Sequence, residues 1–523
     1  MNNNLKDLFE SKEKFLLGIE LVTTRGIAQQ KNSQGVISFA DELAKDNTLN
    51  WISITDNAGG NPMFAPDYLG KRIMENGKHT IIHIACKDFN RNGLESMAWK
   101  YASEGFNNLL ALSGDYPIDG YNNIAQPVFD IDSVGLLKML EDMNNGLNIK
   151  GRKPGTVVTL DKTDFYLGCA VSPFKTSEAE QVMQYEKLKY KIKAGAKFIV
   201  PQLGYNIRKS HELLTYLREN NLNVPVFGNI YKLSPVVAGI FNKGMIPGCV
   251  VSDDLLARID KEKQAEDKGK KFFIDYAAKQ YAAFKGMGYS GAYLGGVAKY
   301  DDFAEILEKA EEYKSHDWRD FVPELTSPLK NEFYFYSLNK ENQLSDAENK
   351  NSRLVDYKKS FYSKHVSFGY RFSRLVHSLA FGYKAPLFKP LKFRFKILEG
   401  KGFRGWRNFC YFHERMTKAA IFSCKDCGDC SLPDITYLCP ESQCAKNQRN
   451  GPCGGSFLDK CEVTKNGKYC IWVKAYSRNK YFNKDKECLL QRPVVIKNNE
   501  LQDTSGWANC FLLRDHNAYK TKE

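Results

Sequence analysis

The chain predicts a (β/α)8 TIM barrel followed by a smaller, cysteine-rich metal-binding domain. Three observations carry that expectation. Eight short apolar runs alternate with amphipathic segments over about the first 315 residues of 523, the length and rhythm of eight strand–helix units. No GxGxxG follows the first run, which argues against a doubly wound dinucleotide-binding sheet. Eight of the 14 cysteines crowd into the 47 residues from Cys424 to Cys470.

The apolar runs fall at 15–22, 51–54, 80–85, 108–112, 165–171, 198–202, 224–230 and 292–295. Near-continuous apolar runs of this length suit parallel strands buried on both faces. Leu213, Leu214 and Leu217 give 208–221 one apolar helical stripe, and Phe303, Ile306 and Leu307 do the same for 301–313. Residues 339–353 are polar throughout and predict an exposed linker or long loop. The expected organisation is a barrel over 1–316, a linker over 317–357, and a basic, cysteine-rich domain over 358–523.

Composition narrows the classes. At 43% hydrophobic and 26% charged the chain is globular rather than disordered. No apolar stretch follows a basic one near Met1, and no run of 18 apolar residues exists. A cytoplasmic protein with no membrane partner is therefore expected. Disulfides need an oxidising compartment, so the thiols are expected to be free or metal-bound. The net charge of +14 is concentrated: 358–407 holds 13 Lys/Arg against one acid, Glu399. Such a basic stretch, interleaved with Phe and Tyr, suits a solvated face packed on the barrel or a docking face for an acidic electron-carrier protein. No RNA- or DNA-binding motif accompanies it, so no nucleic acid is expected.

In a barrel of this class the site forms where the strands end. Polar residues interrupt the apolar runs there: Glu20 in the first, Thr55 and Asp56 after the second, His83 in the third, Gly114 and Asp115 after the fourth, Gln202 after the sixth. A carboxyl in a partly apolar mouth has its pKa raised toward neutrality, so that it can donate a proton; a solvated edge carboxylate is the plainer reading of Glu20. Gly114 lets backbone approach a ligand closely, while Asp115 also reads as a helix N-cap. His83 alone reads as a core histidine, and Lys191 alone as one charge on a helix face.

Taken in order, Gly18-Ile-Glu20-Leu, Trp51-Ile-Ser-Ile-Thr-Asp-Asn-Ala-Gly-Gly60, His83-Ile-Ala-Cys-Lys-Asp88, Leu110-Ala-Leu-Ser-Gly-Asp115-Tyr-Pro, Lys191-Ile-Lys-Ala-Gly-Ala through Gln202, and Ile246-Pro-Gly resemble the methylenetetrahydrofolate reductases. The resemblance covers about residues 12–315. It implies a flavin-bearing barrel that passes hydride to 5,10-methylenetetrahydrofolate, giving 5-methyltetrahydrofolate. By position Glu20 resembles the family's general acid, which protonates N10 as the ring opens. Asp115 resembles the carboxylate that contacts the pterin near the flavin, and Gln202 the folate-contacting glutamine. Thr55, His83, Gly114, Asp115 and Lys191 match flavin-contacting positions. FAD is implied, with FMN as the alternative. The chain departs from the family at Ser113, where an Arg is common before Gly-Asp. It departs also at Gln184 and Lys187, where Asp and Asn are usual.

The cysteines run C-x2-C-x2-C-x8-C-x4-C-x8-C-x7-C-x8-C: Cys424, Cys427, Cys430, Cys439, Cys444, Cys453, Cys461 and Cys470. Eight thiolates suffice for two four-cysteine centres, and the opening triplet is frequent in iron–sulfur binding; zinc is the alternative. Spacing leaves the grouping open. The block, with Cys439-Pro-Glu-Ser-Gln-Cys444 and Gly451-Pro-Cys453-Gly-Gly, is similar to the C-terminal domain of some bacterial members. That likeness implies electron donors other than a pyridine nucleotide. NAD(P)H or a ferredoxin-like carrier is the expected donor, in a homo-oligomer or a complex with a donor subunit. The rival reading is an inactive barrel that acts as a binding or assembly protein.

Overall fold

Eight parallel strands wind into a barrel in this computed structural model, which describes residues 4–11, 14–355, 362–464, 466–482 and 492–521. The strands are β1 Leu16–Leu21, β2 Trp51–Ile54, β3 His79–Ala85, β4 Asn108–Leu112, β5 Tyr166–Val171, β6 Phe198–Pro201, β7 Phe227–Tyr231 and β8 Gly291–Gly295. Each pairs in parallel with the next, and β8 returns to β1 with Leu16 opposite Gly291. The seam between β6 and β7 is a single parallel bridge, Ile199 to Val226. All eight expected strands are present. The expected helical stripes become helices Ile207–Glu219 and Tyr300–Glu311.

Local chemistry starts the helices where strands end. Asn90, Asp132 and Ser177 each accept a backbone N–H from the first turn of the helix they precede, which satisfies donors a helix start leaves open. The barrel's interior is filled by inward side chains, as Trp51, Leu110, Tyr166, Phe198, Phe227 and Tyr293 form one buried cluster. Gly18 is required there: a Cβ would come within 2.0 Å of the Trp51 ring.

A short helix, Leu5–Ser11, closes the N-terminal end of the barrel. Its Phe9 ring lies 4.9 Å from Trp51, 5.3 Å from Phe198 and 4.3 Å from Phe227. With that end plugged by rings, a ligand reaches the barrel interior only from the end where Glu20 lies.

Residues 339–353 are not the loop their composition predicts. Ser345–Lys350 is a strand paired antiparallel with Tyr336–Leu338, and Leu344 is 3% exposed. The far end of this strand, Glu348 to Lys350, is exposed, so pairing overrides a weak strand propensity. The segment before it is docked: Lys209, on helix Ile207–Glu219, donates to Phe333 O. The start of the basic stretch, 358–361, lies outside the described residues.

The C-terminal region packs on helix Glu178–Lys193. Trp472, Val473, Ala475 and Tyr476 of helix Ile471–Tyr481 bury themselves with Ala179 and Met183. The buried Glu178 carboxylate accepts from Tyr362 OH and Tyr476 OH, both at 2.6 Å.

Phe9→Ala removes the ring on which four others converge. It is expected to lower stability by about 3–5 kcal/mol, read as a fall in denaturation midpoint. A change within about 0.5 kcal/mol would mean that the plug is not part of the barrel core.

Candidate active site

The mouth is built from strand ends. Glu20 lies in β1 with Ser53 of β2 opposite it. Above the ring cluster sits a polar layer. Tyr293 OH donates to Glu20 Oε2 at 3.1 Å and lies 3.3 Å from His83 Nε2, which is 2.9 Å from Ser53 Oγ. Burial raises the Glu20 pKa above its ordinary value; the Tyr293 hydrogen bond opposes that, and nearby Asp115 adds to it. Burial also lowers the His83 pKa to about 3, so its imidazole is neutral.

Asp115 leaves β4 through Gly114, whose φ of +81° is a glycine conformation. A Cβ there would also lie 2.8 Å from Lys87 Cδ. Asp115 Oδ2 accepts from Gly59 N at 3.0 Å, tying the end of β4 to the turn after β2. Thr55 N donates to Leu21 O at 3.0 Å, while its buried hydroxyl has no partner among the described residues. Gln202 follows β6 and lies beside Gly248. Lys191 is turned inward, donating to Ala170 O of β5 at 2.6 Å, and burial lowers its pKa to about 8.

The structure thus brings Glu20, His83 and Asp115 to one mouth, with Thr55 and Gln202 on its rim. Tyr293 escaped the sequence reading, and Asp56, noted there as polar, was given no role. Tyr293 is a phenol inside an otherwise apolar run, a signal that inward-facing strand registry would have exposed. Asp56 Oδ2 accepts from Ala85 N at 3.1 Å, and burial raises its pKa to about 6 against that bond and Lys87.

A model of the family described as methylenetetrahydrofolate reductase matches residues 13–311. This chain belongs to the methylenetetrahydrofolate reductase family. A second model, the methylenetetrahydrofolate reductase C terminal, matches residues 404–499. Among solved structures, the chain is similar to an uncharacterized Clostridium thermocellum protein that binds two copies of 5-methyl-5,6,7,8-tetrahydrofolic acid. Identity is 11%, coverage 59% of this chain and 98% of that one, and the TM-score 0.41. It is similar also to an oxaloacetate acetylhydrolase, at 10% identity, 58% and 83% coverage and TM-score 0.32. A Coxiella burnetii dihydropteroate synthase in complex with pteroic acid matches at 13% identity, 57% and 92% coverage and TM-score 0.31. No curated protein matches the chain.

As a member of the methylenetetrahydrofolate reductase family the chain is an oxidoreductase, and its cysteine block sits on the barrel mouth. Lys446 Nζ donates to Gly114 O at 2.8 Å. Gln448 Oε1 accepts from Ser113 Oγ at 3.2 Å and from Lys187 Nζ at 2.9 Å. Asn450 is held by both carboxylate oxygens of Asp132. Ser113 and Lys187 are positions where the chain departs from the family pattern, and one side chain of the block bridges them.

The thiols fall into two sets by mutual electrostatic influence. Cys424, Cys427 and Cys430 are each perturbed by Cys439. Cys444 is perturbed by Cys453 and Cys461, and Cys470 by Cys453 and Cys444. The second four line one small cavity of about 30 Å³. Backbone N–H groups already point at sulfur, Asp426 N to Cys424 Sγ at 3.4 Å and Gln448 N to Cys444 Sγ at 3.5 Å. Among the described residues, no three His, Cys, Asp or Glu side chains are gathered closely enough to hold a metal ion. A histidine reaches the first set from far along the chain. His516 lies 2.5 Å from Asp429 and 2.6 Å from Asp434. Against burial, those carboxylates raise its pKa to about 9.

Asp56 gives a pH test. Its folded pKa of about 6 exceeds its ordinary 3.8, so the native state binds the proton more tightly and stability falls as pH rises through that window. Asp56→Asn is expected to flatten the decline between about pH 4 and 6 in denaturation midpoints. An unchanged slope would contradict the assignment.

Proposed function

We propose that this member of the family reduces 5,10-methylenetetrahydrofolate to 5-methyltetrahydrofolate at the barrel mouth, with a flavin there and electrons entering through the cysteine block. One observation carries the reading. Glu20 is a half-buried carboxyl, pinned by Tyr293, whose pKa burial raises above its ordinary value. A weakly basic amine needs such an acid as its C–N bond opens.

The mouth fits a flat, polar-edged ring system. Among the described residues Thr55 Oγ1, Ser172 Oγ and Gln184 Nε2 are buried without partners, which costs free energy unless a ligand satisfies them. FAD is the flavin the resemblance implies, and FMN offers the same ring edge. When bound, the flavin supplies the hydride. Glu20 holds the proton, and Asp115 offers a carboxylate oxygen to the donor edge of the pterin. Gln202 offers an amide to the folate. Gly114 keeps backbone close to the cofactor. Neutral His83 can exchange a hydrogen bond but carries no charge to a phosphate. Lys191, turned to Ala170 O, would stiffen the strand end beside the flavin site rather than present an exposed cation to it.

We assign the two cysteine sets to two four-thiolate centres, because each holds four soft donors in neighbouring loops and carries N–H groups aimed at sulfur. Side-chain rotation within each set is what convergence on a metal requires. We read them as iron–sulfur ligands, with zinc as the alternative. The first set is the entry point for electrons from a ferredoxin-like carrier; with zinc in its place, NAD(P)H would reduce the flavin directly.

Glu20→Gln is expected to keep its fold and flavin while losing about 10²–10⁴-fold in folate reduction. Normal turnover in that variant would remove Glu20 as the acid and with it the central support for this function. Cys430→Ser and Cys453→Ser are each expected to keep about half of the parent's bound metal, measured as iron and zinc per chain, if the sets are separate centres. Complete loss in either variant, with the fold intact by circular dichroism, would contradict the grouping.

A further inference from the structure

Helix Arg404–Phe422 is built inside out. The side chains it buries are Glu414 and Lys418, joined at 2.9 Å. The side chains it exposes include Trp406, Phe409, Phe412, Met416 and Ile421, with Trp406 63% exposed. The preceding helix, Phe388–Leu398, exposes Phe393 at 66%, and helix Phe368–Val376 exposes Phe368 at 83%. An apolar cavity of about 160 Å³ between these elements, lined by Phe372, Val376, Phe381, Ile421 and Trp507, continues the face inward. Contiguous exposed apolar surface of this kind marks an interaction site rather than scatter.

Its charge says what covers it. Lys389, Lys392, Lys396, Lys401, Arg404 and Arg407 form no ion pair among the described residues, and the single acid nearby, Glu399, is engaged by Arg514 at 2.8 Å. A second copy would set this positive face against itself. An acidic protein would meet the cations but leave the Phe and Trp rings without an apolar counterpart. Lysine is also depleted from protein–protein interfaces, yet here it is interleaved with the rings. An anionic bilayer takes both. Rings enter the boundary between headgroups and acyl chains, to a depth of about 5–10 Å, while Lys and Arg stay among the phosphates.

We propose that the helices of residues 368–421 bind an anionic phospholipid surface, lying in its plane. No helix among the described residues is long and apolar enough to cross a membrane, and this mode needs none. It replaces the expectation of no membrane partner, which rested on the lack of a spanning run. The proposal is independent of the folate chemistry. Its consequence would be to place the first cysteine set, which begins at Cys424 just past helix Arg404–Phe422, beside the membrane.

The test uses the purified full chain and vesicles of phosphatidylcholine with or without phosphatidylglycerol. The chain is expected to sediment with the anionic vesicles and not the neutral ones, and less so in high salt. Phe393→Glu combined with Phe409→Glu alters exposed positions only. It is expected to weaken sedimentation about tenfold or more while circular dichroism and metal content stay as in the parent. No sedimentation with anionic vesicles overturns the proposal. Sedimentation that the double variant leaves unchanged also overturns it, since that is adsorption of charge alone. A parent that is dimeric by light scattering, with the double variant monomeric, would assign the face to a second copy instead.

Discussion

One amide oxygen ties the two halves of this molecule together. Gln448 Oε1 accepts from Ser113 at the end of β4 and from Lys187 on helix Glu178–Lys193. Lys187 is buried, and among the described residues its ammonium has only this oxygen and Gly451 O, at 3.0 Å, as hydrogen-bond acceptors. A buried cation without acceptors costs several kcal/mol, so the block that covers Lys187 also supplies the oxygens that satisfy it. Gln448 N in turn points at Cys444 Sγ, and Arg449, next in sequence, reaches Cys427 Sγ at 3.9 Å. Residues 446–451 therefore touch both cysteine sets and the Gly-Asp turn. The block is part of the mouth.

This arrangement explains the departures from the family pattern. Ser113 is short where an Arg is common, and Lys187 is cationic where an acid or amide is usual. Taken alone they look like losses from a binding site. In the folded chain they are the two donors to Gln448 Oε1, so the mouth is shaped by a surface the barrel lacks on its own. Lys446, donating to Gly114 O and paired with Glu462 at 2.5 Å, adds a buried charge beside the turn that carries Asp115.

Much of this was legible before any coordinates. The eight strands read directly, because parallel strands buried on both faces are apolar runs, and Glu20 stood out as a carboxyl inside one. The closing helix Leu5–Ser11 did not read, since seven residues hold too little periodicity. Strand Ser345–Lys350 was hidden because its stability comes from its partner rather than from its own polar residues. The polar layer was half visible: Glu20 and His83 interrupt apolar runs, but Tyr293 looks like one more ring. The grouping of the thiols could not be read, because spacing does not say which loops fold back. His516 joins the first set only through tertiary contact, 46 residues beyond Cys470.

The central claim is that cysteine block and barrel mouth form one cooperative unit. Hydrogen exchange in the full chain and in Gln448→Leu tests it most directly, because leucine keeps the bulk and removes the acceptor. The account predicts faster exchange together at 113–116, at 185–189 and at 446–451 in the variant. Faster exchange confined to 446–451, with the mouth as protected as in the parent, would contradict it.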